Sequence, residues 1–293
     1  MKPAPFDYVA ARSLDEALEA LAERADDAKA LAGGQSLIPV LNFRLAQPAV
    51  LVDLNRVAGL DSVIEEAGGG LRLGALVRQR SLERDPRIAR RAPLLAEATA
   101  YVAHPQIRNR GTLGGSLAHA DPAAELPAVA LALDAELTLR RRGGERRLAA
   151  REFFIGLFST ALAPGELVTE IRLPPSPPRT GHAFVEFARR HGDYALAGVA
   201  ARVTLDEGGA CRAARLVLVA VGDGPVDARR AAAALAGTAL DAAALAAAAE
   251  LAAGAEIDPL GDIHASAEFK RHLVRVLVVR ALERARERAW EAE

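Results

Sequence analysis

The chain has 293 residues, of which 51% are apolar and 26% charged, and its formal net charge is −1. That length accommodates two ordinary domains with a core each, and the near-zero charge excludes a global basic field for nucleic acid or an anionic membrane. Cys211 is the one cysteine, which excludes an internal disulfide, a four-cysteine zinc site and a cysteine-ligated iron–sulfur cluster.

The N-terminal stretch MKPAPFDYVAARSLDEAL carries acidic residues and no apolar h-region. No signal peptide is expected, and a cytoplasmic location is the default. Ser13-Leu14-Asp15-Glu16 fits a capping box, with Leu14, Ala17, Leu18 and Leu21 at helical spacing behind it. The helix is expected to end near Arg24. Residues 28–34, AKALAGG, read as a short buried strand running into a glycine pair, and 49–54, AVLVDL, as another strand. The triple glycine 68–70 with LRLGAL at 71–76 predicts a hairpin turn and strand.

Helical spacing returns over 81–103, with Ser81 as cap and Pro93 as a divider. Residues 103–127, AHPQIRNRGTLGGSLAHADPAAELP, are rich in Gly, Pro, Asn and His and show little periodicity. A loop of that length inside apolar flanks is expected to be functional. Residues 128–154 predict a helix, an alternating strand, a turn at Gly143-Gly144 and a second strand. The basic run RRRGGERR at 140–147 reads as a solvated turn rather than a nucleic-acid site.

The stiff segment Pro174-Pro175-Ser176-Pro177-Pro178 is the best domain boundary. Strands are expected at 182–190, 194–205 and 214–221, followed by helices. The alanine-dense stretch 229–254 is broken by Gly237, Asp241, Glu250 and Gly254, too weak for a membrane span. The segment 268–290 is expected to be a packed helix whose outer face carries paired Glu and Arg. The chain thus reads as α+β in two parts.

Two glycine-pair segments stand out: Ala32-Gly33-Gly34-Gln35-Ser36 and Thr112-Leu113-Gly114-Gly115-Ser116. Successive N–H groups with a nearby hydroxyl or amide can surround an anionic oxygen, so the pair suggests two sides of one diphosphate cleft; a simple tight turn is the plainer alternative for each. Neither segment is a P-loop, and neither is a GxGxxG fingerprint opening a crossover helix. A side chain at Gly34 or Gly115 is expected to intrude on the diphosphate.

His119, Asp121 and Glu125 lack the spacing of a helical metal motif, the six histidines show no zinc spacing, and no Ser sits in a GxSxG elbow. A lone cysteine at a strand start is expected to be inert. No metal and no acid–base catalyst are therefore expected, and a bound cofactor is the better carrier of chemistry.

Six stretches in order, LAGGQSLIPVLNFRL (31–45), VDLNRVAGL (52–60), LRLGALV (71–77), HPQIRNRGTLGGSLAHADPAAELP (104–127), LDAEL (133–137) and RRHGDYALAGVA (189–200), carry a family resemblance. Together they resemble the FAD-binding medium subunit of molybdenum hydroxylases, the carbon monoxide dehydrogenase and xanthine dehydrogenase family, over nearly the whole chain.

The resemblance implies a vanillyl-alcohol-oxidase-type FAD-binding domain over residues 1–175, in two α/β subdomains of about 1–57 and 58–175, with FAD between them. A C-terminal domain of a three-stranded sheet with helices is implied over 180–293. Ala32, Gly33, Gly34, Gln35, Ser36 and Leu37 would form one FAD clamp, and Thr112, Gly114, Gly115 and Ser116 the other, both through main-chain N–H groups. Glu125 stands where the family usually has an aspartate that reaches the ribose or adenine side, and Ser116 where many members have asparagine. Tyr194 matches the tyrosine that approaches the isoalloxazine; a core tyrosine in a strand is the alternative.

The implied activity is electron transfer within a complex. A molybdenum-cofactor large subunit would oxidise the substrate, the two iron–sulfur (2Fe-2S) clusters of a small subunit would pass electrons to FAD, and a soluble acceptor such as NAD or a quinone would remove them. The single cysteine agrees with clusters on another chain and excludes a variant of this subunit with its own cluster. A stand-alone FAD-binding protein and a lone flavin oxidase are the alternatives; the second needs a base near the flavin, and no sequence candidate stands out.

Overall fold

A computed structural model describes residues 2–292 as three layers of mixed sheet and helix in chain order. The first layer comprises β1 (Asp7–Ala10), α1 (Leu14–Glu23), β2 (Ala28–Leu31), α2 (Leu37–Asn42) and β3 (Val50–Asp53), with parallel strands in the order β1-β3-β2. Ser13 caps α1 by accepting the Glu16 N–H at 3.1 Å, while Glu16 Oε2 accepts from Arg12 N–H at 2.7 Å. The reciprocal half of the capping box therefore closes one residue early. Ala17, Leu18 and Leu21 bury against Val50 and Val52, so the apolar face of α1 covers one side of the small sheet. Strand β1 carried no sequence expectation: its first two residues are exposed, and it pairs only at the sheet edge.

The second layer begins with β4 (Val63–Glu65) and β5 (Leu71–Gly74), the hairpin expected around the triple glycine. Helices α3 (Gln79–Arg84), α4 (Pro86–Arg91) and α5 (Pro93–Thr99) follow. Two prolines, not one, divide this stretch, and Asp85 rather than Ser81 supplies a cap, accepting the Arg87 N–H at 2.9 Å. Ser81 lies inside α3 because Arg78 already holds the extended N-cap conformation. The expected loop at 103–127 is also helical in part: α6 (Pro105–Arg108), α7 (Leu113–His119) and the start of α8 (Glu125–Ala132) lie there. Helices of one or two turns show no readable period. Every residue of α8 is buried.

β6 (Glu136–Arg141) and β7 (Gly144–Ala149) form the arginine-rich hairpin, exposed at its tip, where Arg140 pairs with Glu145 at 2.6 Å. Then come α9 (Ala150–Phe153), β8 (Phe154–Gly156), β9 (Ser159–Thr160) and β10 (Leu167–Leu173). The sheet order β4-β5-β10-β6-β7 places the last strand at its centre.

After the exposed Pro174–Pro178 segment, β11 (Thr180–Ala188), β12 (Ala195–Leu205), β13 (Cys211–Val219) and a two-residue β14 (Val226–Asp227) make an antiparallel sheet in chain order. The fourth strand is an addition to the three expected. Helices α10 (Arg229–Ala233), α11 (Ala242–Ala255) and α12 (Ala267–Glu291) complete the layer. Alternation splits this sheet's two faces. Ala183, Val185, Ala201 and Val203 pack with α11 and α12, whereas Phe184, Ala200, Val217 and Val219 join the core built around α5 and α8.

The arginines of α12 pair mainly with other elements rather than along their own helix. Arg275 meets Glu250 at 2.9 Å and Arg288 meets Glu97 at 2.6 Å, the latter tying α12 to α5. Asp134 likewise accepts from Arg202 at 2.6 Å and from Arg215, binding the second layer to the third. Cys211 is buried, and burial pushes its thiol above the ordinary range, as an inert cysteine requires. Among the described residues no helix is long and apolar enough to cross a membrane, and no group of three or more His, Cys, Asp or Glu is placed to hold a metal.

Candidate functional site

The two glycine segments meet. A Cβ on Gly33 would lie 2.4 Å from Arg110 O and 2.8 Å from Gly111 Cα, and one on Gly115 would lie 3.8 Å from Ala32 Cβ. Residues 77 to 83 apart in sequence are thus brought to one place by β2, which delivers the first segment, and by the α6–α7 connection, which delivers the second.

The first segment presents donors. Gly34 has φ of +73°, a left-handed conformation that side chains resist, and it turns the chain from β2 into α2. Among the described residues, no main-chain or side-chain acceptor meets the N–H groups of Gly33, Gly34, Gln35 and Ser36. Ser36 stands at the N-cap of α2 with its hydroxyl uncommitted and exposed. The Gln35 side chain turns back, donating Nε2 to Gly33 O at 2.9 Å, so only its main chain faces outward with the others.

The second segment is different. Leu113 N–H donates to Val77 O at 3.0 Å, Gly114 N–H to Ala75 O at 2.8 Å, and Ser116 N–H to Thr112 O at 3.1 Å. Gly115 N–H donates to Thr112 Oγ1 at 3.1 Å, making Thr112 the N-cap of α7. The expectation that both segments offer main-chain N–H groups therefore divides: these four are bonded within the protein. Gly114 is required because a Cβ would lie 2.5 Å from Ala75 Cβ, and at Gly115 it would lie 2.6 Å from Thr112 Oγ1. A side chain at either position strikes protein first, not an open cleft. The Ser116 hydroxyl is left uncommitted.

Residues without a sequence role fasten the two segments together. Asn55, just past β3, donates Nδ2 to Ala32 O at 2.9 Å and accepts from Arg78 Nη2 at 2.6 Å, while Arg78 also donates to Arg110 O. One asparagine and one arginine therefore span both. Arg108, buried, pairs with Glu83 at 3.1 Å and donates to Val102 O at 2.8 Å, which pins the loop before α6. Asn55 lies in the motif VDLNRVAGL, so its presence was visible but its bonds were not.

A carboxylate-rich corner lies where α8 meets the C-terminal sheet. Glu125 opens α8, and burial, reinforced by Asp121, pushes its carboxyl up to about 7 despite its own N–H. Glu186 on β11 is pushed up to about 8 by burial and by Glu125. Tyr194 immediately precedes β12 and is 72% exposed as a residue, so it is not a core tyrosine. Partial burial of its hydroxyl, with Asp121 and Glu125, raises that phenol above its ordinary value. The turn carrying Tyr194 seats on the second layer, with His191 and Tyr101 rings 6.5 Å apart. α8, which Glu125 opens, packs against β12 and β13, and Tyr194 immediately precedes β12.

Comparison with known proteins agrees with this arrangement along the chain. A family model described as the FAD binding domain in molybdopterin dehydrogenase matches residues 4–176, and one described as the CO dehydrogenase flavoprotein C-terminal domain matches residues 182–285. The chain is 47% identical to the 6-hydroxypseudooxynicotine dehydrogenase complex subunit alpha of Paenarthrobacter nicotinovorans, over 99% of this chain and 97% of that one. It is 39% identical to the carbon monoxide dehydrogenase medium chain of Afipia carboxidovorans, over 99% of each. Among solved structures, carbon monoxide dehydrogenase from Hydrogenophaga pseudoflava superposes with a TM-score of 0.95 at 38% identity, covering 98% of this chain and 99% of that one.

Proposed function

This chain belongs to the FAD-binding medium subunits of the molybdenum hydroxylases, and we propose on that premise that it relays electrons from a partner's iron–sulfur clusters to a soluble acceptor. It is an oxidoreductase subunit and its cofactor is FAD. The partners in this reading are a large subunit with the molybdenum cofactor and a small subunit with 2Fe-2S clusters; the acceptor is NAD or a quinone, in the cytoplasm. The division into residues 1–175, with subdomains of about 1–57 and 58–175, and 180–293 belongs to the same reading.

The observation that carries it is the row of unspent N–H groups from Gly33 to Ser36, braced by Asn55 and Arg78 against the second segment. Such a row suits a diphosphate, because each amide is a fixed donor that needs no reorganisation on binding. Gly33, Gly34, Gln35 and Ser36 would hold the diphosphate through main-chain N–H groups, with Ala32 and Leu37 framing them. Thr112, Gly114 and Gly115 would set the opposite wall, and the Ser116 hydroxyl would add a side-chain contact. Tyr194 would lie against the isoalloxazine, whose flat apolar ring suits an exposed aromatic face. Glu125 would serve the ribose or adenine side, at the position where the family usually has an aspartate.

FAD supplies a centre that accepts electrons from one-electron clusters and releases them in pairs. In this reading the residues here would bind and orient it, and the chemistry on the organic substrate would belong to the large subunit. The test is purification of the native complex. Large and small subunits should co-elute with one FAD per medium chain, and substrate-reduced complex should be reoxidised by NAD or by a quinone analogue. A chain that purifies alone, takes up FAD and turns over an alcohol with oxygen would establish the oxidase reading instead.

A further inference from the structure

A carboxylate stands beside the segment read as a diphosphate clamp, where charge alone argues against it. Asp53 ends β3, the central strand of the first layer, and its register partner on β2 is Leu31, two residues before Gly33. Asp53 Oδ2 accepts from the Tyr8 hydroxyl, and Oδ1 accepts from the Asn55 main-chain N–H at 2.8 Å and from Asn55 Nδ2. Burial opposes the charge, but the donors from Tyr8 and Asn55 and the Arg110 guanidinium outweigh it and hold the carboxyl below the ordinary carboxylate range. Asp53 is therefore ionised at neutral pH.

Those bonds decide how the Asn55 amide is turned. Its Nδ2 has two hydrogens, one donated to Asp53 Oδ1 and the other to Ala32 O at 2.9 Å, while its Oδ1 accepts from Arg78 Nη2 at 2.6 Å. A flipped amide would set oxygen against the carboxylate and the Ala32 carbonyl, and its NH2 against the guanidinium. In a planar trans peptide the carbonyl and the following N–H point in opposite directions. Holding Ala32 O therefore aims the Gly33 N–H away from Asn55, and the Gln35 side chain holds the next peptide plane in the same way through Gly33 O. We propose that Asp53 is a positioning residue of the diphosphate clamp, acting through Asn55 to aim the Gly33 N–H at the cofactor. This rests on the reading above that residues 33–36 hold the diphosphate. A donor fixed before binding needs no reorganisation, which is what the carboxylate contributes despite its charge.

The test uses the purified complex as wild type, D53A, D53N, N55A and D53A/N55A, each stripped of FAD and titrated with it, with affinity scored per folded complex. By charge alone, D53A and D53N would both bind the anionic cofactor more tightly, since each removes a neighbouring negative charge. The positioning role has the opposite sign. D53A is expected to bind FAD about tenfold more weakly, the value of one well-aligned bond to a charged group. D53N keeps an acceptor for Asn55 and should stay within about threefold of wild type. N55A should lose about as much as D53A, and because Asp53 acts through Asn55 the double variant should lose no more than N55A. A purely structural Asp53 would lower the melting temperature and leave the affinity of the folded complex alone. Wild-type or tighter binding in D53A, or losses that add in the double variant, overturns the proposal, as does wild-type binding in N55A where Gly34→Ala is weakened. If N55A and Gly34→Ala both bind like wild type, the clamp reading itself fails and the proposal falls with it.

Discussion

Among the described residues, 33–36 leave their amide groups unspent, whereas 113–116 spend theirs on Val77, Ala75 and Thr112. The difference comes from what precedes each glycine pair. Thr112 stands three residues before Gly115 and can cap a helix, so the second segment closes into α7. Ala32 offers no such cap, and Gly34 in a left-handed conformation keeps the first segment open ahead of α2. Glycine does two jobs here: in one segment it sets the direction of the chain, in the other it lets two backbones touch.

The largest effect should separate these jobs. Gly114→Ala drives a Cβ to within 2.5 Å of Ala75 Cβ and 2.9 Å of Ala75 O, where the α7 backbone has no room to give. It should cost roughly 3 kcal/mol of stability, read as a lower urea midpoint, with FAD content falling only as the folded fraction falls. Gly34→Ala meets only the flexible Ile38 and Leu31 side chains but must adopt φ of +73°. It should cost about 1–2 kcal/mol, and the folded protein itself should bind FAD more weakly. A Gly114→Ala protein that melts like wild type yet loses its flavin would reverse the comparison.

How much of this was legible depends on how far each feature's cause lies along the chain. β2, β3, β12 and β13 could be read because each is a compact run of apolar or β-branched residues with turn signals at its ends. α1 could be read from Ser13 and Glu16. By contrast, α6 and α7 were hidden in 103–127, since Pro105, Gly114 and Gly115 interrupt any period that helices this short can show. The glycine pairs were visible as candidates, but their different uses were not. Whether Gly114 has a free amide is decided by Ala75, on a distant stretch that only folding brings near. Glu186 alternates with Phe184 along β11, a pattern that in sequence reads simply as a strand.

A smaller effect probes the closed segment alone. Thr112→Ala removes the cap from the Gly115 N–H and should cost about 1 kcal/mol. Because it also frees that amide, FAD binding should change little at a temperature where the protein stays folded. Thr112→Ser should restore the melting temperature. If Thr112→Ala abolished binding without altering the melting curve, Thr112 would be a cofactor contact and not a cap.

The smallest effect lies in the open segment. Gln35 donates its side-chain amide to Gly33 O at 2.9 Å, within its own turn, so it braces the row of N–H groups and does not add a donor to it. Gln35→Ala loses that brace and keeps the main-chain N–H. The loss is worth about 1 kcal/mol, shared between stability and the order of the loop, so FAD affinity should fall less than about fivefold. Gln35→Glu keeps the length of the side chain but replaces the donor with an acceptor facing the Gly33 carbonyl, and its charge opposes a diphosphate. It should therefore weaken FAD more than the alanine does. Equal losses in the two variants would mean that the Gln35 side chain itself reaches the cofactor, and the open segment would then bind by side chain as well as by backbone.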